Sequence, residues 1–507
     1  MTDEARRLLA RAAPGDPEAA AAAAIAALNE GLEAEALPVL ERALAVAPGD
    51  ARLWQLLGLA FRALEDLAPA VEAFARAATL APADALIAHG HARVRLEAGL
   101  PASGAFERAH ALAPLDGGIL QGRAAAQLAE GRLADAIAGL ADQLRRHPAW
   151  IEGHQTLARL RWMAGEEDRF TASFEEALAA QPREVALWKG LLDILAGAEL
   201  YPRILALLPR ARAAAGEVPL FDAYEAVATS EAGRPAAAEG LFERLGPPGD
   251  LPMVVRRVRH LLRAGRPKDA LALAEPAAGA AGGELWPYLS IGWRLTGDPR
   301  GQWLEGDPRL VGIYDIADVL PPLDTLAERL RDLHVTSNQP LEQSVRGGTQ
   351  TDGPLFARIE PEIRALRAAL LETVERHVAS LPAPVEGHPL LGAGRAPIRF
   401  SGSWSVRLAG GGRHSNHVHP AGWISSALYV ALPEEGARGP APSGWLTLGE
   451  PQEGLAPGLE PLRIVEPKPG RLVLFPSTMW HGTVPFGEGE RLTVAFDVAL
   501  PRYRDRP

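Results

Sequence analysis

A chain of 507 residues has room for about three domains at ~150 residues each. With 47% hydrophobic and 23% charged residues it can bury cores and is not a disordered protein. Its 52 Lys+Arg against 63 Asp+Glu leave a net charge of -11, which argues against a nucleic-acid scaffold, because phosphates need a basic face.

Cys is absent, so disulfides, zinc ribbons, thiolate clusters and Cys nucleophiles are excluded, and any metal must be held by His, carboxylates or main chain. The apolar run Ala19–Leu28 is short and flanked by Asp16, Glu18 and Glu30, so it reads as a helix and not a signal segment. Nothing approaches the ~18 uninterrupted apolar residues of a membrane span. The expectation is a soluble protein of a reducing cytoplasm, with no membrane and no nucleic-acid partner.

Ala and Leu dominate up to about residue 280, and Pro recurs there on a schedule. Pro14, Pro48 and Pro82 stand 34 residues apart, as do Pro114, Pro148 and Pro182. The clearest unit is Trp54-x2-Leu57-Gly58-x2-Phe61, followed by Ala70, Phe74, Ala77 and Pro82. Trp54, Leu57 and Phe61 share one helical face, small Gly58 and Ala70 let a second helix approach, and Pro82 ends that helix. This resembles the tetratricopeptide repeat at each anchor position. Ala36, Leu40, Ala43 and Pro48 repeat the second helix, as do Phe174, Ala177 and Pro182, while Trp188 and Leu191 restart the next unit. Glu30-Gly31, Glu130-Gly131 and Gly165-Glu166 mark turns between paired helices. Beyond Gly216 the pattern weakens, though 236–245 and 269–274 still read as helix. The pattern predicts seven or eight helix pairs over 1–280, an all-α solenoid whose concave face would take a peptide or protein, or would serve as a spacer or dimerisation arm.

At 277–283 the run AAGAAGG reads as a hinge, and the composition then changes. Helices are expected near 324–334 and 361–381, with the polar, Gly-rich 344–351 between them as a loop. From Ile398 the pattern turns to β, with strands at 403–408, 423–432, 444–448, 471–475 and 491–498. Short strands separated by turn clusters suggest a sandwich or barrel, with the two helices covering one sheet.

Four of the 13 His fall between 414 and 481. His417 and His419 share one side of an extended chain, and His481 follows a distant strand. Three imidazoles so placed can cap one octahedral face of a metal and leave positions open, with His414 as a bystander behind them. Ten residues later, Arg491 and Thr493 share a strand face, where a guanidinium and a hydroxyl would hold a carboxylate. The alternative for Arg491 is a surface ion pair with Glu488 or Glu490.

The stretches Ser403–Arg407, Asn416–Ser426, Gly470–His481 and Arg491–Thr493 together resemble the double-stranded β-helix of iron(II)/2-oxoglutarate-dependent oxygenases. The chain as a whole is similar to a bacterial group of such oxygenases carrying tetratricopeptide repeats in front. The resemblance implies a repeat solenoid over 1–280 and an oxygenase domain over 286–507, with a helical lead-in to 395 and a jelly-roll or cupin-like core from 396. It implies Fe(2+), 2-oxoglutarate and O2 as cofactors. His417, His419 and His481 become the metal ligands, and Arg491 with Thr493 holds the 2-oxoglutarate carboxylate. The activity implied is hydroxylation, with Arg407, Ser425, Tyr429, Arg346 and Gln350 as pocket or substrate residues. One position departs: the family pattern His-x-Asp has His419 in place of Asp, so three neutral ligands would leave iron(II) at +2 where a carboxylate leaves +1. Two other readings stay open, a cupin-like metalloprotein independent of 2-oxoglutarate and a repeat scaffold with an inactive barrel. The cupin Glu is missing, since Trp423 and Ile424 stand where it is expected.

Overall fold

The computed structural model describes residues 2–12, 15–279, 281–392, 394–456 and 458–501. Pro14 of the proline schedule and Ala280 of the Gly-rich run lie outside these. After a first helix, Thr2–Arg11, come eight helix pairs, from Pro17–Asn29 with Glu33–Val46 to Leu251–Arg263 with Pro267–Ala278. The proline schedule has a physical basis. Indole N–H groups of Trp54 and Trp188 donate to the carbonyls of Pro48 and Pro182, each at 2.9 Å, so the proline loop anchors the ring opening the next helix. His154 makes the same contact to Pro148 O at 3.0 Å.

Each pair turns on one residue in the left-handed region. Six are Gly (31, 99, 131, 165, 233 and 265), as a position without Cβ strain demands, but Glu65 and Glu199 occupy the same place in two repeats.

By packing, the chain forms two compact units, 1–143 with 352–364 and 144–351 with 365–507. In the first, Ala357 and Ile359 pack on the cluster of Leu67, Phe74, Val94 and Ala98, and Ile359 N–H donates to Ala98 O. The second holds the later repeat helices together with all nine strands. These are β1 Gly312–Asp315, β2 Val345–Gln350, β3 Phe400–His414, β4 Gly422–Ala431, β5 Leu446–Leu448, β6 Arg463–Val465, β7 Arg471–Pro476, β8 His481–Thr483 and β9 Arg491–Ala499. They form a six-stranded sheet in the order β1-β7-β4-β9-β3-β2 and a three-stranded sheet β6-β5-β8, the double-stranded β-helix. Leu323–Asp332 packs on β4.

Three outcomes differ from the sequence pattern. The segment expected as a loop at 344–351 is the edge strand β2, hydrogen-bonded along β3. An edge strand pairs on one side only, so it can keep a polar, Gly-rich sequence that a central strand could not. The short strands β1, β6 and β8 carry too few residues to show a period. The expected hinge is packed: Ala281 is buried in the cluster of Leu285, Tyr288 and Trp480, and a Cβ on Gly283 would fall 1.8 Å from Pro420 O.

Candidate metal centre

Strand pairing builds the centre. The extended stretch after β3 returns alongside β8, with His417 N–H donating to His481 O at 2.9 Å and His481 N–H to His417 O at 3.0 Å. His419 N–H donates to Ser477 O at 2.9 Å. Period-2 geometry then turns the 417 and 419 rings to the same side, facing the 481 ring. Ring centroids lie 4.1 Å (417–481), 4.9 Å (417–419) and 5.2 Å (419–481) apart. One nitrogen from each ring falls within 4.8 Å of the other two.

The hydrogen bonds assign the tautomers. Nδ1 of His417 faces Ser415 O at 2.8 Å, Nδ1 of His481 faces Met479 O at 3.0 Å, and Nδ1 of His419 faces the Asp497 carboxylate at 2.7 and 2.8 Å. Carbonyls and carboxylates only accept, so every Nδ1 carries a proton and every Nε2 is the nitrogen left to face the centre. Burial, then repulsion from neighbouring imidazoles, holds His417 and His481 well below the usual imidazole range, so both are neutral at neutral pH. His414 stacks on His417 at 5.9 Å, and burial, then the charges of Arg491, His419 and Arg346, push it down to about 3. Ser344 Oγ bridges the two, 3.0 Å from His414 Nδ1 and 3.1 Å from His417 Nε2.

Arg491 and Thr493 point inward from β9 and line a narrow cavity with His481, Thr483 and Phe475. Arg491 is 2% exposed, its Nη1 lies 3.2 Å from Thr483 Oγ1, and its guanidinium sits 5.1 Å from the centroid of the Tyr429 ring. Glu490, one residue before and facing the other way, binds Arg331 and Arg407 instead. Arg491 Nε is buried without a hydrogen-bond partner among the described residues, and the Tyr429 hydroxyl lies against the guanidinium. A buried guanidinium with no carboxylate partner is a cradle for an anion.

A second cavity, of about 500 Å³, opens over His417 and His419. Arg346 and Gln350 line it. Arg407 does not: it lies 2.5 Å from Glu490 and is exposed, because Trp404, Val406 and Leu408 take the inward side of β3 and alternation sends 407 outward. Ser425 and Tyr429 are fully buried and line neither cavity. Ser425 Oγ donates to Asp497 Oδ1 at 2.5 Å, and Tyr429 lies under Arg491.

Residues 402–497 match the family described as "Putative 2OG-Fe(II) oxygenase". This segment is a 2OG-Fe(II) oxygenase domain by family. No curated protein sequence matches the chain. Similar solved structures include a tetratricopeptide repeat protein from Parabacteroides merdae (17% identity, covering 51% of this chain and 98% of that one, TM-score 0.30). A Pseudomonas putida prolyl-4-hydroxylase is 20% identical over 38% of this chain and 93% of its own, with a TM-score of 0.26. YrrB, a TPR protein with an unusual peptide-binding site, is 16% identical over 34% of this chain and 91% of its own, at 0.29.

The donor set of the oxygenase domain fits iron(II). Three imidazoles converge with one nitrogen each from one side, which leaves the opposite side open to small molecules. Sequence reasoning missed Asp497, although it extends the inward series 491, 493, 495 on β9. It also missed what walls the larger cavity from the helical side, where Gly197, Glu199, Arg259 and Tyr288 face the barrel. Glu199 reaches Arg346 at 3.0 Å and Gln452 at 3.2 Å, and Gln452 in turn accepts from Arg259 at 2.8 Å. One signal was available: Glu199 stands where most repeats carry Gly.

Proposed function

We propose that the chain is an iron(II)- and 2-oxoglutarate-dependent dioxygenase that hydroxylates a peptide or protein substrate. In this reading the repeats occupy 1–280 and the oxygenase domain 286–507, with its core from 396. The observation carrying it is the buried, unpaired Arg491 guanidinium on the strand facing three convergent imidazoles. A cupin-like metal protein has no use for that charge, and an inactive barrel has no reason to keep its desolvation cost.

His417, His419 and His481 would hold the iron. Arg491, with the Thr493 hydroxyl, would hold the distal carboxylate of 2-oxoglutarate. Iron(II) with 2-oxoglutarate and O2 supplies oxidative decarboxylation coupled to oxidation of a substrate C–H bond. The chain's own contribution is position and shielding. Backbone carbonyls fix the His417 and His481 rings, and Trp480, pinned through its indole N–H to Pro287 O at 3.0 Å, keeps water from one side. The narrow cavity measures about 40 Å³, so a five-carbon diacid requires side chains at its mouth to shift.

The 500 Å³ cavity takes the substrate, entering between repeat helices and barrel. Its wall charges are already matched, Glu199 by Arg346 and Glu342 by Arg159 (2.8 Å). What remains for recognition is carboxamide, hydroxyl and indole, which suits peptide groups.

Anaerobic titration with iron(II) tests the reading. Metal binding, with a weak visible charge-transfer band on adding 2-oxoglutarate, is the expected result. Metal binding without the band would move the assignment to a cupin-like protein, and no metal binding to a scaffold.

A further inference from the structure

The three imidazoles are not held alike. His417 and His481 place Nδ1 on neutral main-chain carbonyls, whereas His419 places it on a carboxylate, with Asp497 Oδ2 at 2.7 Å and Oδ1 at 2.8 Å. That carboxylate is itself fixed. Its side chain is 13% exposed, Ser425 Oγ donates to Oδ1 at 2.5 Å, and Ser477 Oγ lies 3.0 Å behind Ser425. The cluster needs space that Gly422 leaves: a Cβ there would fall 2.6 Å from Ser477 Oγ and 3.4 Å from Asp497 Cβ. Three strands meet at this point. Ser425 on β4 is paired in register with Asp497 on β9 and with Phe475 on β7, which leads directly to Ser477.

We infer that Asp497 supplies from one bond further out the negative charge that His419 removed from the ligand set. Resting on the reading of His419 as a metal ligand, the inference makes Asp497 a positioning residue with two effects. It fixes the ring so that Nε2 faces the centre, and its charge strengthens the imidazole as a donor through the Nδ1–H bond. The centre then carries the same total charge as two His and one carboxylate, with the carboxylate reached through a ring. Losing such an outer carboxylate typically weakens metal binding ten- to a hundredfold.

The test uses the full chain and reads metal affinity, with cobalt(II) as a second probe whose visible bands report ligand geometry. Asp497→Asn keeps an acceptor for Nδ1–H but removes the charge. It is expected to bind iron(II) about ten- to a hundredfold more weakly, with a changed cobalt spectrum. The double variant H419D/D497N moves the carboxylate into the ligand position and is expected to return affinity to within about threefold of the parent, the range of context scatter for such contacts. Asp497→Asn binding as tightly as the parent, with an unchanged cobalt spectrum, overturns the inference. If Asp497→Asn does not fold, as seen by circular dichroism, the double variant decides: recovered affinity supports the inference and lost affinity overturns it. Failure of the parent chain to bind metal sinks the proposed function instead, so the two failures are distinguishable.

Discussion

Arg491 gives the proposal its sharpest consequence, because one residue should affect stability and ligand binding in opposite senses. Its guanidinium is 2% exposed, has no carboxylate partner among the described residues, and lies 3.2 Å from Thr483 Oγ1 and against the Tyr429 hydroxyl. Burial shifts it below the usual guanidinium range, with the Tyr429 hydroxyl opposing the shift. Substituting Met removes a buried, uncompensated charge and fills most of its volume. Replacing buried charge by apolar groups of similar size is often worth about 1–4 kcal/mol, less about 1 kcal/mol for the Thr483 hydrogen bond. The ligand-free Arg491→Met chain should therefore be at least as stable as the parent, by up to about 3 kcal/mol. Its affinity for 2-oxoglutarate should fall at least a hundredfold, as two charge-assisted hydrogen bonds at about 1.5 kcal/mol or more are lost. Iron(II) affinity should stay within about threefold, because none of the three imidazoles touches Arg491. Thermal unfolding with and without 2-oxoglutarate and iron(II) measures all three. At a hundred times its dissociation constant the co-substrate should stabilise the parent by about 2.7 kcal/mol and the variant by almost nothing. A variant that is destabilised without ligand yet still stabilised by 2-oxoglutarate would refute the carboxylate clamp and the argument from the unpaired charge together.

Glu490→Gln should leave 2-oxoglutarate affinity within about twofold, since Glu490 serves Arg331 and Arg407 on the other side of the strand; a tenfold loss would mean that Glu490 and Arg491 are coupled. Glu305 is buried against Ser290, and burial raises its carboxyl to about 7 despite the Ser290 hydrogen bond at 2.5 Å. Its folded pKa lies above the ordinary 4.5, so the folded state holds the extra proton between those values. Stability from this group is then full below pH ~4.5 and lost as pH rises through about 7, by about 3 kcal/mol. Urea unfolding of the parent against Glu305→Gln between pH 5 and 8 should give diverging curves. Parallel curves would show that Glu305 ionises normally.

The repeats and the histidine cluster were legible because both rest on local periodicity. A 34-residue schedule of Pro, Trp and small residues follows from how two helices close on each other, and it named the helix pairs in advance. Strand alternation was enough to put His417 beside His419 and Arg491 beside Thr493. The family resemblance offered Arg407 as a pocket residue, but the inward face of β3 is settled by its pairing with β9, which local sequence does not carry. Tertiary structure alone brought Asp497 to His419, 78 residues away, and Gln452 to Arg259, 193 residues away. No short window contains both members of such pairs, and either partner alone reads as an ordinary surface or core polar group. The missing Cys excluded disulfides and thiolate chemistry. Where the repeats touch the barrel, and which carboxylate stands behind the ligand that replaced one, came from long-range packing, because contact there depends on strand register and helix placement.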